Sequence, residues 1–129
     1  MPWVTLTVQD SLPASTRRAL LDALHESLVA VGVPQADRFQ RVLALPAADF
    51  VFDAHYPRAD TQAPPRDGRF AVAEVLWSVG RSLVVKRQML QHLHEALLAR
   101  GLEPEQLMLV FKETAWENWS FAGTRLLHA

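Results

Sequence analysis

The 129-residue chain repeats itself. Leu21, Leu24, His25, Glu26, Leu28, Ala30 and Gly32 return 69 positions later as Leu90, Leu93, His94, Glu95, Leu97, Ala99 and Gly101. Each leucine set has helical spacing, and each glycine stands where a helix can end in a left-handed residue. The pattern predicts amphipathic helices near 14–31 and 82–100. Extending the same offset pairs Val4-Thr5-Leu6 with Ala73-Glu74-Val75, and Phe39–Leu45 with the run that starts at Met108. Each half therefore reads as strand, helix, strand, and a crossover of this length makes its two strands parallel. Two such units fused edge to edge predict an α+β fold, a four-stranded sheet with two helices on one face. The expected single domain has half-repeats at about 2–45 and 70–113, a connection over 46–69 and a tail over 114–129.

Such a sheet leaves its second face bare. The 46–69 connection, rich in Pro and Asp (Pro46, Asp49, Asp53, Pro57, Asp60, Pro64, Pro65, Asp67), reads as a hairpin over Asp49–His55 followed by a surface loop, too little to cover it. Oligomerisation is the natural solution. The apolar tail, with Trp116, Trp119, Phe121, Leu126 and Leu127, is suited to cover a neighbouring subunit or its own sheet.

Composition narrows the function. Thirteen Lys and Arg against fourteen Asp and Glu give a net charge of −1 with no basic run, so no nucleic-acid partner is expected. There is no cysteine, hence no disulfide or thiol chemistry, and no apolar stretch approaches the ~18 residues of a membrane helix. A cytoplasmic protein with no membrane partner is expected. His92 and His94 are two residues apart and share no helical face, and no phosphate loop, Ser-His-Asp order or zinc spacing occurs. The expected chemistry needs neither metal nor cofactor.

What remains is Pro2, at the head of the strand-like run Pro2–Val8. With Met1 removed, its ring nitrogen becomes a secondary amine at the start of a strand. An α-amino group titrates near ~7.7–8.0, and burial beside a cation disfavours the charged form, so such a nitrogen can be a neutral base at physiological pH. With Met1 retained the nitrogen is an amide without basicity, and Pro2 is then only a proline at a strand's first position.

Three segments carry a family resemblance. Val33-Pro34-Gln35-Ala36-Asp37-Arg38-Phe39-Gln40 is similar to V-P-x-x-D-R-aromatic-Q, Ser78-Val79-Gly80-Arg81-Ser82 with Lys86 to S-R-P-R-S-x-x-x-K, and Glu117-Asn118-Trp119-Ser120-Phe121 to a W-S-F motif near the carboxyl end. With the duplicated β-α-β and Pro2, the chain resembles the tautomerase superfamily, and within it the malonate semialdehyde decarboxylase branch. The resemblance covers most of the chain outside 46–69.

It implies a homotrimer whose sheets form a barrel, with Pro2 as acid or base in a pocket lined by Arg81, Asp37, Trp119 and Phe121, acting on a small carboxylic acid. Read alone, Arg81 is either a solvated surface arginine or, at a helix N-terminus, half of a carboxylate site. Asp37 is either a turn residue after Pro34 or the group that orients water or holds the Pro2 nitrogen. Trp119 and Phe121 are either packing residues or walls that exclude water and lower the amine pKa. The branch has two arginines in S-R-P-R-S; here Val79 and Gly80 stand in place of the first arginine and the proline, with Arg38, Arg69 and Arg125 as candidate substitutes. Three readings follow: a keto–enol tautomerase, a decarboxylase or hydratase, and a non-enzymatic trimeric binding or assembly protein.

Overall fold

A computed structural model describes residues 1–58 and 62–126. Positions 59–61 of the connection, Asp60 among them, and Leu127 of the tail lie outside the described residues.

The repeat is realised to the residue. Strand β1 covers Trp3–Gln9, helix α1 Ala14–Ala30, strand β2 Gln40–Leu45, strand β3 Ala71–Ser78, helix α2 Leu83–Ala99 and strand β4 Leu107–Thr114. Both helices have 17 residues, and their bounds differ by the offset of 69. Each stops for the same reason, a glycine with positive φ, +107° at Gly32 and +70° at Gly101, where an L side chain would be strained. Their starts differ. Ser82 caps α2 by accepting from the Val85 amide, whereas Pro13 opens α1 with no side-chain cap.

The sheet order is β2-β1-β3-β4, with β1–β2 and β3–β4 parallel and β1–β3 antiparallel. Alternation sorts the strands. Val4, Leu6 and Val8 of β1 and Ala71, Ala73, Val75 and Trp77 of β3 are buried, and they form one core with Leu20, Leu21, Leu24 and Leu28 of α1 and Met89, Leu93 and Leu97 of α2. Burying a leucine or valine of this kind contributes ~1.5–3 kcal/mol, so this shared core, not helix propensity, holds the two halves together. Both helices therefore lie on one face, as expected. The opposite face carries the other alternation: Leu43, Met108 and Val110 are exposed there, beside a polar row in which Arg41 donates to Thr5 (3.2 Å) and Lys112 pairs with Glu74 (2.5 Å).

The connection between the halves departs from expectation. No hairpin forms over Asp49–His55: a short 3-10 turn at Ala47–Asp49 is followed by irregular backbone. The alternating Phe50 and Phe52 that suggest a strand pack on Phe70 instead, with ring centroids 5.3, 5.9 and 4.6 Å apart among the three. The tail does not lie over the sheet as a layer. A 3-10 turn at Trp116–Asn118 leads into two short antiparallel strands, β5 (Ser120–Phe121) and β6 (Arg125–Leu126).

Among the described residues, no helix is long and apolar enough to cross a membrane.

Candidate active site

Strand pairing brings three distant segments to the start of β1. The β1–β2 ladder continues one step before β2, where the Val4 amide donates to the Phe39 carbonyl (3.0 Å), so the turn holding Asp37 lies beside the N-terminus. The antiparallel register Trp3↔Leu76 carries the chain leaving β3 past the same point. Gly80, at φ +112°, turns that chain into α2 and leaves Arg81 there. The tail then returns from β4 to the far side of the sheet, where Phe121 meets Phe39 at 6.0 Å.

The result is a cavity of about 550 Å³ lined by Met1, Val33, Asp37, Phe39, Arg81, Trp116 and Phe121, among others. Pro2, next in the chain to the lining Met1, is fully buried. The Met1 amine sits 3.8 Å from Asp37 Oδ2, while Asp37 Oδ1 is buried with no hydrogen-bond partner among the described residues. A buried carboxylate oxygen without a donor is costly, and a bound group that brings a donor would relieve it.

Arg81 is held from two sides. Its guanidinium donates to the Ser78 carbonyl (2.9 Å) and lies 4.3 Å from the centre of the Trp77 ring, which stacks on Phe111 at 5.0 Å and 8°. Burial pushes its pKa below the ordinary arginine value, Asp37 and Glu113 opposing the shift, and it stays a cation at any physiological pH. Its remaining N–H donors suit the two oxygens of a carboxylate. The N-terminal amine is likewise pushed down, chiefly by burial and further by the charge of Arg81, while Asp37 pulls it back up. The cavity thus combines an amine biased towards its neutral form, a carboxylate that can stabilise its cation, and an anion site.

Of the residues singled out from sequence, Asp37, Arg81 and Phe121 line this cavity, whereas Pro2 does not: it follows the lining residue Met1 in the chain and is buried. Trp119 does not line it. Its indole donates to Ser78 Oγ (2.9 Å), and Trp116 takes the wall position, its own indole donating to the Val79 carbonyl (3.1 Å). The candidate substitute arginines are elsewhere: Arg38 pairs with Asp22 (2.6 Å), Arg69 with Asp67 and Glu103, and Arg125 is exposed in β6. Phe39 was missed as a wall residue, although it is the aromatic of the Asp37-Arg38-Phe39 motif. Among the described residues no cluster of His, Cys, Asp and Glu could hold a metal ion.

Comparison with known proteins agrees with this architecture. Solved structures of malonate semialdehyde decarboxylase superimpose with TM-scores of 0.81 for the enzyme inhibited by 3-bromopropiolate and 0.80 for the structures described with decarboxylase and hydratase activities. The first is 23% identical and covers 96% of this chain and 92% of its own; the second is 24% identical and covers 96% and 93%. A fused 4-OT solved as a symmetric trimer follows at TM-score 0.68 and 20% identity, covering 93% of this chain and 91% of its own. At these identities the likeness establishes the fold. No curated protein sequence matches the chain. A protein-family model described as a tautomerase enzyme matches residues 37–122, from the Asp37 turn to the tail beyond Phe121. That stretch is well over half of the chain, and the protein belongs to the tautomerase family of enzymes.

Proposed function

We propose that this protein is a cofactor-independent enzyme that moves a proton between oxygen and carbon in a small 2-oxo or enol carboxylic acid, with Pro2, freed by removal of Met1, as the acid–base group. The observation that carries this reading is the convergence of an N-terminal amine, Asp37 and Arg81 on one cavity. Pro2 itself precedes the family match at residues 37–122, so its role rests on this geometry. In the reaction Arg81 grips the substrate carboxylate. The neutral nitrogen takes the enol hydroxyl proton, the C=C electron pair takes a proton from the resulting ammonium, and the 2-oxo acid leaves with the amine restored. Asp37 stabilises the transient cation, and Phe39, Trp116 and Phe121 keep water away from it.

The exposed Leu43, Met108 and Val110 on the sheet's open face, together with the trimeric fused 4-OT, support a homotrimer. Sedimentation decides this, and a stable monomer at micromolar concentration contradicts it.

The test of the reaction is phenylenolpyruvate ketonisation by protein whose intact mass lacks Met1, against protein that retains it. Activity confined to the Met-free form supports the reading; equal activity of both forms removes Pro2 from the chemistry. A second reading, decarboxylation of a 3-oxo acid such as malonate semialdehyde, is favoured by Asp37 and Arg81 together and opposed by Val79, which leaves one guanidinium where the branch has two. Val79→Arg is expected to raise decarboxylation more than ketonisation, because the 3-oxo acid has a carbonyl oxygen for the second arginine. Inactivity of Met-free protein on both substrate classes favours the binding or assembly reading.

A further inference from the structure

The turn that presents Asp37 has no regular structure of its own, so its aim depends on what holds it. Besides the ladder bond from the Val4 amide to the Phe39 carbonyl, three side-chain contacts tie it to α1. His25 Nε2 meets the Gln35 carbonyl at 2.9 Å, Arg38 donates to Asp22 Oδ1 at 2.6 Å, and Gln40 Nε2 donates to the Leu21 carbonyl at 2.8 Å. His25 is 3% exposed, and a carbonyl only accepts, so its Nε2 carries the proton. The held carbonyl is two residues from Asp37, inside a turn closed by the Asp37 amide on Pro34 O and the Arg38 amide on Ala36 O, both at 3.0 Å. A shift of the Gln35 carbonyl therefore moves the carboxylate.

The other half of the chain supplies a control. The counterparts of His25, Gln35, Arg38 and Gln40 at the offset of 69 are His94, Pro104, Leu107 and Leu109. There the pins are replaced by a cavity of about 210 Å³ lined by those same four positions with Leu90, Leu93 and Leu97. The fold thus stands without the pins, and they occur in the half whose turn ends in a carboxylate facing an amine.

We propose that His25 is a positioning residue that holds Asp37 against the N-terminal amine through the Gln35 carbonyl. This rests on the proposed function only for its catalytic meaning, and its test does not use activity. The Met1 amine of the full-length protein lies 3.8 Å from Asp37 Oδ2 and within the influence of Arg81; in processed protein Pro2 carries the amine, and in either form its titration midpoint, followed by nitrogen NMR, is the readout of how closely Asp37 approaches. Asp37→Asn calibrates the scale by lowering the midpoint. His25→Leu should lower it by at least half as much, His25→Gln, which keeps a donor at similar reach, should restore it, and His25→Leu should do nothing further in the Asp37→Asn background. Should His25→Leu fail to fold, His25→Asn, whose amide stops short of Gln35, carries the same expectation. A folded His25→Leu or His25→Asn protein with an unchanged midpoint overturns the proposal, as does an equal shift in the Asp37→Asn background. An intact shift in a protein inactive on every oxo acid sinks the proposed reaction and leaves the positioning role standing; an active protein without the shift does the reverse.

Discussion

The two ends of the sheet are built from the same plan and differ in chemistry. At one end Asp37 and Arg81 face an N-terminal amine; the positions 69 away are Gln106 and Leu12, and Pro2 corresponds to Ala71. The second end still has a cavity, of about 290 Å³, lined by Leu12, Leu20, Leu102, Gln106 and Arg69, but Arg69 is already paired with Asp67 and Glu103. Backbone positions match, since both helices stop at a positive-φ glycine and both turns lead into a strand paired in parallel. A few side chains therefore set the two ends apart, while the scaffold around them is shared.

The sharpest way to break this comparison is to truncate matched positions. Arg81→Ala should cost about a hundredfold or more in kcat/KM, on the order of 3 kcal/mol of transition-state binding, with little change in melting temperature. Its counterpart Leu12→Ala removes a buried core side chain and should cost about 2–5 kcal/mol in denaturant unfolding while kcat per folded molecule holds. Loss of catalysis without loss of stability at Leu12 would erase the distinction between the ends. Arg81→Lys should fall between wild type and Arg81→Ala, because the charge survives and the fork on the carboxylate does not.

Charge changes sharpen the comparison further. Activity carried by a neutral amine rises with pH through the amine's pKa. Asp37→Asn removes the anion that holds the proton, so the midpoint of the kcat/KM profile should fall; Arg81→Lys keeps a cation there and should shift it little, whereas Arg81→Met removes the repelling charge and should raise it. Gln106→Asp, at the other end, should leave the profile where it is. Opposite signs for the two cavity variants are required, and shifts in the same direction would mean that the amine does not sit between them.

The smallest effect should be the most symmetric. Gly32→Ala and Gly101→Ala place a methyl group where, among the described residues, nothing lies within 4 Å, so the cost is backbone strain, about 1–2 kcal/mol at each end by thermal unfolding. Unequal costs would show that the two helix stops are less alike than their geometry.

Much of this was readable from residues because the repeat is covalent and local. Leu21, Leu24 and Leu28 with Gly32, seen twice, place both helices to within a residue, and parallel pairing within each half follows from crossover length. The hairpin expected from the Pro- and Asp-rich run is absent because Phe50 and Phe52 pack on Phe70 and not in paired strands. Trp119 and Trp116 exchanged roles because the 3-10 turn at Trp116–Asn118 decides which indole faces the cavity, and a three-residue turn leaves no periodicity to detect. The role of His25 was not legible because its partner lies ten residues away in an irregular segment, where no spacing rule reaches.

The described residues of the connection over 46–69 contribute no strand to the main sheet, and that has a bearing on stoichiometry. Two separate half-length chains of one sequence would pair to give a sheet with identical ends, so neither end could change without the other. Joining the halves in one polypeptide fixes the ratio at one end with Asp37 and Arg81 to one end without them in every sheet, at any protein concentration, and frees Leu12, Ala71 and Gln106 to serve packing and local hydrogen bonding.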